Sequence, residues 1–99
     1  MSLEQLLVFI SAFAPGDDGA IHAYQLMLES GQLKRIHRTS DVEQPFFMAL
    51  SPDNEYLYSI HTRGQFGGDE HEQIAAYEII GNTGKLKLLN RQSTLGSAA

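Results

Sequence analysis

The feature that most constrains this chain is an internal repeat. Laid over itself with an offset of 53 residues, the sequence falls into register. Ile21-His22-Ala23-Tyr24 lies over Ile74-Ala75-Ala76-Tyr77, and Ser30-Gly31-Gln32-Leu33-Lys34 over Thr83-Gly84-Lys85-Leu86-Lys87. Arg38 meets Arg91, and Ser40 meets Ser93. Eight of the 22 positions from Ile21 to Val42 are identical, where roughly one or two would arise by chance at average residue usage. A period of this length marks a unit that is stacked on copies of itself, because one unit cannot bury its own faces.

The unit reads as strands. Leu7–Phe13, Ala20–Met27, Gln32–Thr39, Phe46–Leu50, Tyr56–Thr62, Gln73–Ile80 and Lys85–Ser93 are short runs rich in β-branched and aromatic residues, which suit a pleated, half-buried surface. The N-terminal run could pass for a short helix through Leu3, Leu6, Leu7 and Ile10, but Val8-Phe9-Ile10 favours a strand. Glu29-Ser30-Gly31 and Asn82-Thr83-Gly84 put a glycine where a tight turn needs positive φ. Ser51-Pro52-Asp53-Asn54 has the residues of a type I turn. A complete unit then has four antiparallel strands: a (Phe46–Leu50), b (Tyr56–Thr62), c (Gln73–Ile80) and d (Lys85–Ser93). The first copy supplies only b, c and d.

Four-stranded units of about 50 residues in tandem are the blades of a β-propeller. The predicted fold is therefore all-β. Residues 4–42 form a first blade without its inner strand, 43–95 a complete second blade, and 96–99 the start of the next. On this reading the chain is an N-terminal piece of a longer ring, whose remaining blades are its partners.

Composition removes whole classes of function. Seven Lys+Arg against twelve Asp+Glu leave a net charge of −5, the wrong sign for neutralising phosphates of nucleic acid or for a polybasic membrane surface. No cysteine is present, which excludes a disulfide framework, a thiol nucleophile and a thiolate zinc site. The longest apolar run, Leu6–Ile10 continuing to Ala14, falls short of the roughly 20 residues of a membrane span. No basic residue precedes it as in a secretory leader. The expected compartment is the cytoplasm, or the periplasm or exterior had a native leader been removed.

Several segments resemble a known family. Leu7–Ser11, Gln44-Pro45-Phe46-Phe47-Met48-Ala49-Leu50-Ser51-Pro52-Asp53, Tyr56–Ser59 and Asn82-Thr83-Gly84-Lys85-Leu86 are similar to the lactonase-type seven-bladed propellers. That family includes 6-phosphogluconolactonases and 3-carboxy-cis,cis-muconate cyclases. The resemblance runs from about Leu7 to Ser97. It implies about two blades of a protein of roughly 350 residues, seven units of ~50. It further implies lactone hydrolysis, or the related lactone-forming cyclisation, on a small anionic lactone or sugar acid. A non-catalytic binding scaffold is the third reading, since one fold serves many functions. Where the family often carries Asn-Glu after strand b, this chain has His61-Thr62.

Topology sorts the loops. The a–b and c–d turns lie at one end of each blade and are tight. The longer b–c loops, Ala14–Gly19 and Arg63–Glu72, and the d–a connection Asp41–Pro45 lie at the other end, where function concentrates. Four candidates flank that end. His61 has the right pKa for a catalytic base that activates water. Arg63 has the planar fork that holds a carboxylate or phosphate. Gln44 and Phe46 enter the innermost strand, as substrate-binding residues or as packing, while Phe47 is expected to pack between blades. No metal or cofactor is expected. Gly67–Glu72 has oxygen and imidazole ligands but no recognised spacing, and reads as a charged, solvated loop. Gly16–Gly19 reads as a turn. Tyr24 and Tyr77 recur at one place in the unit and read as blade packing.

Overall fold

The computed structural model describes residues 5–62 and 72–94. The described residues form seven strands: β1 (Gln5–Ala12), β2 (Ala20–Met27), β3 (Leu33–Thr39), β4 (Pro45–Leu50), β5 (Tyr56–Thr62), β6 (Glu72–Ile79) and β7 (Leu86–Ser93). A 3₁₀ turn, Gly16–Asp18, joins β1 to β2. Two antiparallel sheets result, β1-β2-β3 and β4-β5-β6-β7, each in simple up-and-down order. Among the described residues no helix is long and apolar enough to cross a membrane.

The turns close as their residues dictate. In the β4–β5 hairpin, Asn54 N–H donates to the Ser51 carbonyl at 2.9 Å. The Asp53 carboxylate accepts from the Ser51 hydroxyl at 2.6 Å and from the Glu55 N–H at 3.0 Å. These charged acceptor contacts hold the Asp53 pKa below its ordinary value, the Ser51 bond most of all. At the c–d turns, Gly31 and Gly84 adopt φ of +75° and +82°, a conformation that costs any residue with a Cβ.

The repeat extends to an irregularity. The β2–β3 ladder shifts register between Ala23 and Tyr24, and the β6–β7 ladder between Ala76 and Tyr77. In each case one residue of the outer strand, Ile36 or Leu89, is the extra residue of a bulge. The two bulges are 53 residues apart, as the sequence offset requires.

The sheets pack face to face. Ile21 from β2, Leu57 from β5, and Ala75 and Tyr77 from β6 form the buried centre with Val42, and Phe9, Met48, Ile79 and Leu86 pack around it. Burying each large side chain contributes about 1.5–3 kcal/mol. Strand alternation assigns the faces. Leu57, Ser59 and His61 of β5 look toward the first sheet, with Ala75 and Tyr77 of β6. Phe47, Ile60 and Ile74 look the other way. Phe47 is 51% exposed in this chain and takes no part in the contact between these two sheets. The bulge beside it places it on the outer face.

Glu72 is a correction. It is the first residue of β6 rather than part of a solvated loop, and only 6% exposed. The rest of Gly67–His71 lies outside the described residues.

Candidate functional site

The end of the second sheet at which β5 leaves and β4 enters is unusually polar for buried structure. His61 and Thr62 are each 1% exposed, and Gln44 and Glu72 are nearly as buried. The connection from β3 creates this arrangement. Asp41 and Gln44 both take left-handed backbone, with φ of 61° and 49°, sparsely populated for residues that carry a Cβ. Gln44 N–H donates to the Ala14 carbonyl at 2.9 Å, which ties the connection to the loop after β1. Gly19 lies in the same crossing. An added Cβ there would sit 2.6 Å from both the Ala14 and Val42 carbonyl oxygens, so only glycine fits.

The Gln44 side chain turns along the sheet, and its Nε2 donates to the Thr62 carbonyl at 3.3 Å. His61 pairs with Pro45 on one side and Gln73 on the other. The ladder shifts between Pro45 and Phe47, making Phe46 the extra residue of a bulge, a device that re-aims a side chain. Thr62 pairs with Glu72. The Thr94 hydroxyl donates to Glu72 Oε1 at 2.7 Å, and the Thr94 N–H to the Glu72 carbonyl at 3.2 Å.

Three of the four residues singled out in the sequence, Gln44, Phe46 and His61, therefore meet at one end of β4 and β5. Arg63 follows Thr62 directly and lies outside the described residues. His61 shares a face with Leu57 and Ser59, so its imidazole is set into the contact between the sheets. Sequence reasoning missed Glu72 and Thr94. Counting strand alternation back from Tyr77 would have placed Glu72 on a strand face, but not shown that the face is covered. Among the described residues, no group of three or more His, Asp or Glu side chains could hold a metal ion. An apolar hollow of about 430 Å³ lies between β1 and β4, lined by Leu7, Phe9, Met48 and Leu57 among others. Among the described residues no titratable side chain lines it.

Residues 7–99 match the family model described as Lactonase, 7-bladed beta-propeller. The chain belongs to this family. The two sheets are accordingly propeller blades, the first seen with three strands and the second with four. Among curated proteins, a 6-phosphogluconolactonase of Formosa agariphila is 32% identical over 90 residues, which is 90% of this chain and 25% of the relative. A 6-phosphogluconolactonase of Bacillus subtilis is 29% identical over 84 residues, 85% of this chain and 23% of the relative. The chain thus spans about a quarter of the length of these relatives. A solved structure from Bacteroides fragilis, a 6-phosphogluconolactonase by assignment, superposes with a TM-score of 0.80 at 24% identity. It covers 96% of this chain and 25% of that one, and shows the fold.

Proposed function

We propose that the protein built on these blades hydrolyses the lactone of a phosphorylated sugar acid. The observation that carries this reading is the likeness to two curated 6-phosphogluconolactonases over nearly the whole chain. The substrate is a small anionic lactone, taken up at the end where the β1–β2 and β5–β6 loops and the β3–β4 connection gather.

At that end Gln44 and Phe46 shape the wall of the site. Arg63 holds the anionic group, since a chain whose own net charge is −5 must supply positive charge locally. His61 is the candidate base.

The test is turnover of 6-phosphogluconolactone and of 3-carboxymuconate by the full-length protein. Opening of the first without conversion of the second supports the proposal. Conversion of carboxymuconate alone assigns a lactonising cyclase, and binding without turnover assigns a scaffold. Arg63→Ala is expected to weaken substrate binding by roughly 1.5–3 kcal/mol, the range for a hydrogen bond to a charged group.

A further inference from the structure

The outer strands of the two blades, β3 and β7, stand on either side of a hollow of about 430 Å³, within the range of ligand pockets, about 300–1,000 Å³. His37, Thr39 and Asp41 line it from the first blade and the connection leaving that blade, and Tyr77, Leu88 and Arg91 from the second. Alternation brings them together. Thr39 and His37 pair with Ile21 and Ala23, the β2 residues turned toward the second sheet. Arg91 pairs with Ala75, which faces the first sheet together with Tyr77. Both walls are therefore supplied by this chain. Arg91 stands two strands from His61, about 10 Å at the usual strand spacing, so the hollow is separate from the end proposed for the lactone.

Three polar groups of this lining are buried with no hydrogen-bond partner among the described residues: the Tyr77 hydroxyl, the Thr39 hydroxyl and the Arg91 Nε. Tyr77 is 2% exposed. Burial pushes its pKa up, against an opposing pull from the nearby Arg91 guanidinium, yet no hydrogen bond of proper geometry joins the two. The hydroxyl keeps its proton at neutral pH and has no acceptor for it.

Arg91 is held in place by its other two nitrogens. Nη1 pairs with the Asp41 carboxylate at 3.4 Å, and Nη2 donates to the Asp41 carbonyl. The Nε–H is left as a fixed donor. The Asp41 side chain is 76% exposed and that of Arg91 17%. Water screens the exposed carboxylate far more than the partly buried cation.

Unmet buried donors are costly, and native structures leave few of them. One of these three belongs to a cation and two are hydroxyls, so what the hollow lacks is acceptors and negative charge. An oxyanion brings both, and charge-assisted bonds are the stronger kind. We propose that this hollow between the outer strands binds a small oxyanion, a carboxylate or phosphate group, on the Arg91 Nε–H and the Tyr77 and Thr39 hydroxyls. His37 is the second basic group of the wall, and Leu88 lies against the carbon body of an organic acid. The inference goes beyond the lactone chemistry and does not depend on it.

Calorimetric titration of the full-length protein with inorganic phosphate and with acetate tests this. Arg63→Ala serves as the parent, so that the anion holder proposed for the lactone site is absent. Saturable binding of either anion is expected, and the tighter of the two names the group. Tyr77→Phe and Thr39→Val, added singly to that parent, remove one hydroxyl each at nearly constant shape. Each is expected to weaken binding roughly tenfold, the scale of one lost hydrogen bond to a charged group. No saturable binding of either anion, or equal binding in both variants and the parent, overturns the proposal. In buffer free of both anions Tyr77→Phe is expected to melt no lower than its parent, because the hydroxyl it loses has no partner there. A clear drop marks the hydroxyl as already bonded within the fold and overturns the proposal too. Lactone turnover with Arg63 intact is expected to be unchanged by Tyr77→Phe, so the failure of either reading leaves the other standing.

Discussion

Arg91 of β7 and Asp41 of the β3–β4 connection are joined twice across the boundary between the blades. Nη1 lies 3.4 Å from Oδ2, and Nη2 donates to the Asp41 carbonyl. The two contacts are unequal. The Asp41 side chain is largely exposed, so solvent screens the ion pair, whereas the carbonyl bond holds the left-handed backbone at Asp41 in place.

That inequality predicts which partner matters. Arg91→Met is expected to destabilise the protein by about 1.5–3 kcal/mol, through loss of a charged hydrogen bond to the backbone. Asp41→Asn keeps a residue that tolerates positive φ and removes only the screened pair, at a cost below about 1 kcal/mol. Denaturant unfolding of the two variants checks the order. Equal losses would move the weight to the ion pair.

Gly31 and Gly84 share a backbone conformation but not an environment. Gly31→Ala carries the left-handed penalty alone, about 1–2 kcal/mol. Gly84→Ala adds overpacking against Ala23 and Ile36, a further 1–3 kcal/mol or so. In the 99-residue chain, thermal unfolding is expected to rank Gly84→Ala well below Gly31→Ala.

The Asp53 turn gives a pH dependence. Its folded pKa lies below its unfolded value, so its contribution is present above the ordinary carboxylate range and is lost as pH falls through the folded pKa. Asp53→Ala is expected to lower the melting temperature at neutral pH. The gap to the unsubstituted protein is expected to close in acid, below the usual aspartate pKa of about 4. A gap that stays constant into acid would locate the effect in the turn backbone instead.

His61 needs a different treatment from an exposed base. At 1% exposure, truncation to alanine leaves a cavity in the sheet contact and is expected to cost on the order of 2–4 kcal/mol, in the range of large-to-small core changes. His61→Gln fills more of the space. In the full-length protein it is expected to keep the fold by circular dichroism and to lower kcat. An unaltered kcat would make His61 a packing residue.

The strands were legible because two independent signals agree. The repeat aligns Ala20–Met27 with Gln73–Ile80, and alternation runs through both, so β2 and β6 differ from expectation by at most one residue. β1 begins two residues early, at Gln5, since pairing with Met27 extends a strand beyond its apolar run. Which face is covered was less legible. Glu72 was misplaced, and the side of the sheet that Phe47 takes was not assigned, for one reason. Side-chain type says whether a residue prefers burial, but a bulge at Phe46 and the cover of Thr94 over Glu72 are set by neighbours remote in sequence. The site was readable as far as chain order allows. Gln44, Phe46 and His61 were assigned to one end by topology, while the Gln44–Thr62 bond depends on backbone dihedrals that composition does not encode.

The paired bulges carry a consequence for what the repeat must preserve. A bulge adds one residue to the outer strand and reverses the facing of everything beyond it. Gaining or losing it in one unit alone would turn Arg38 or Arg91 to the wrong side. The extra residues, Ile36 and Leu89, are not identical, so what the two units hold in common there is a spacing rather than a side chain. The two units therefore share a geometric requirement at this point, met by an equal count of residues whose side chains differ.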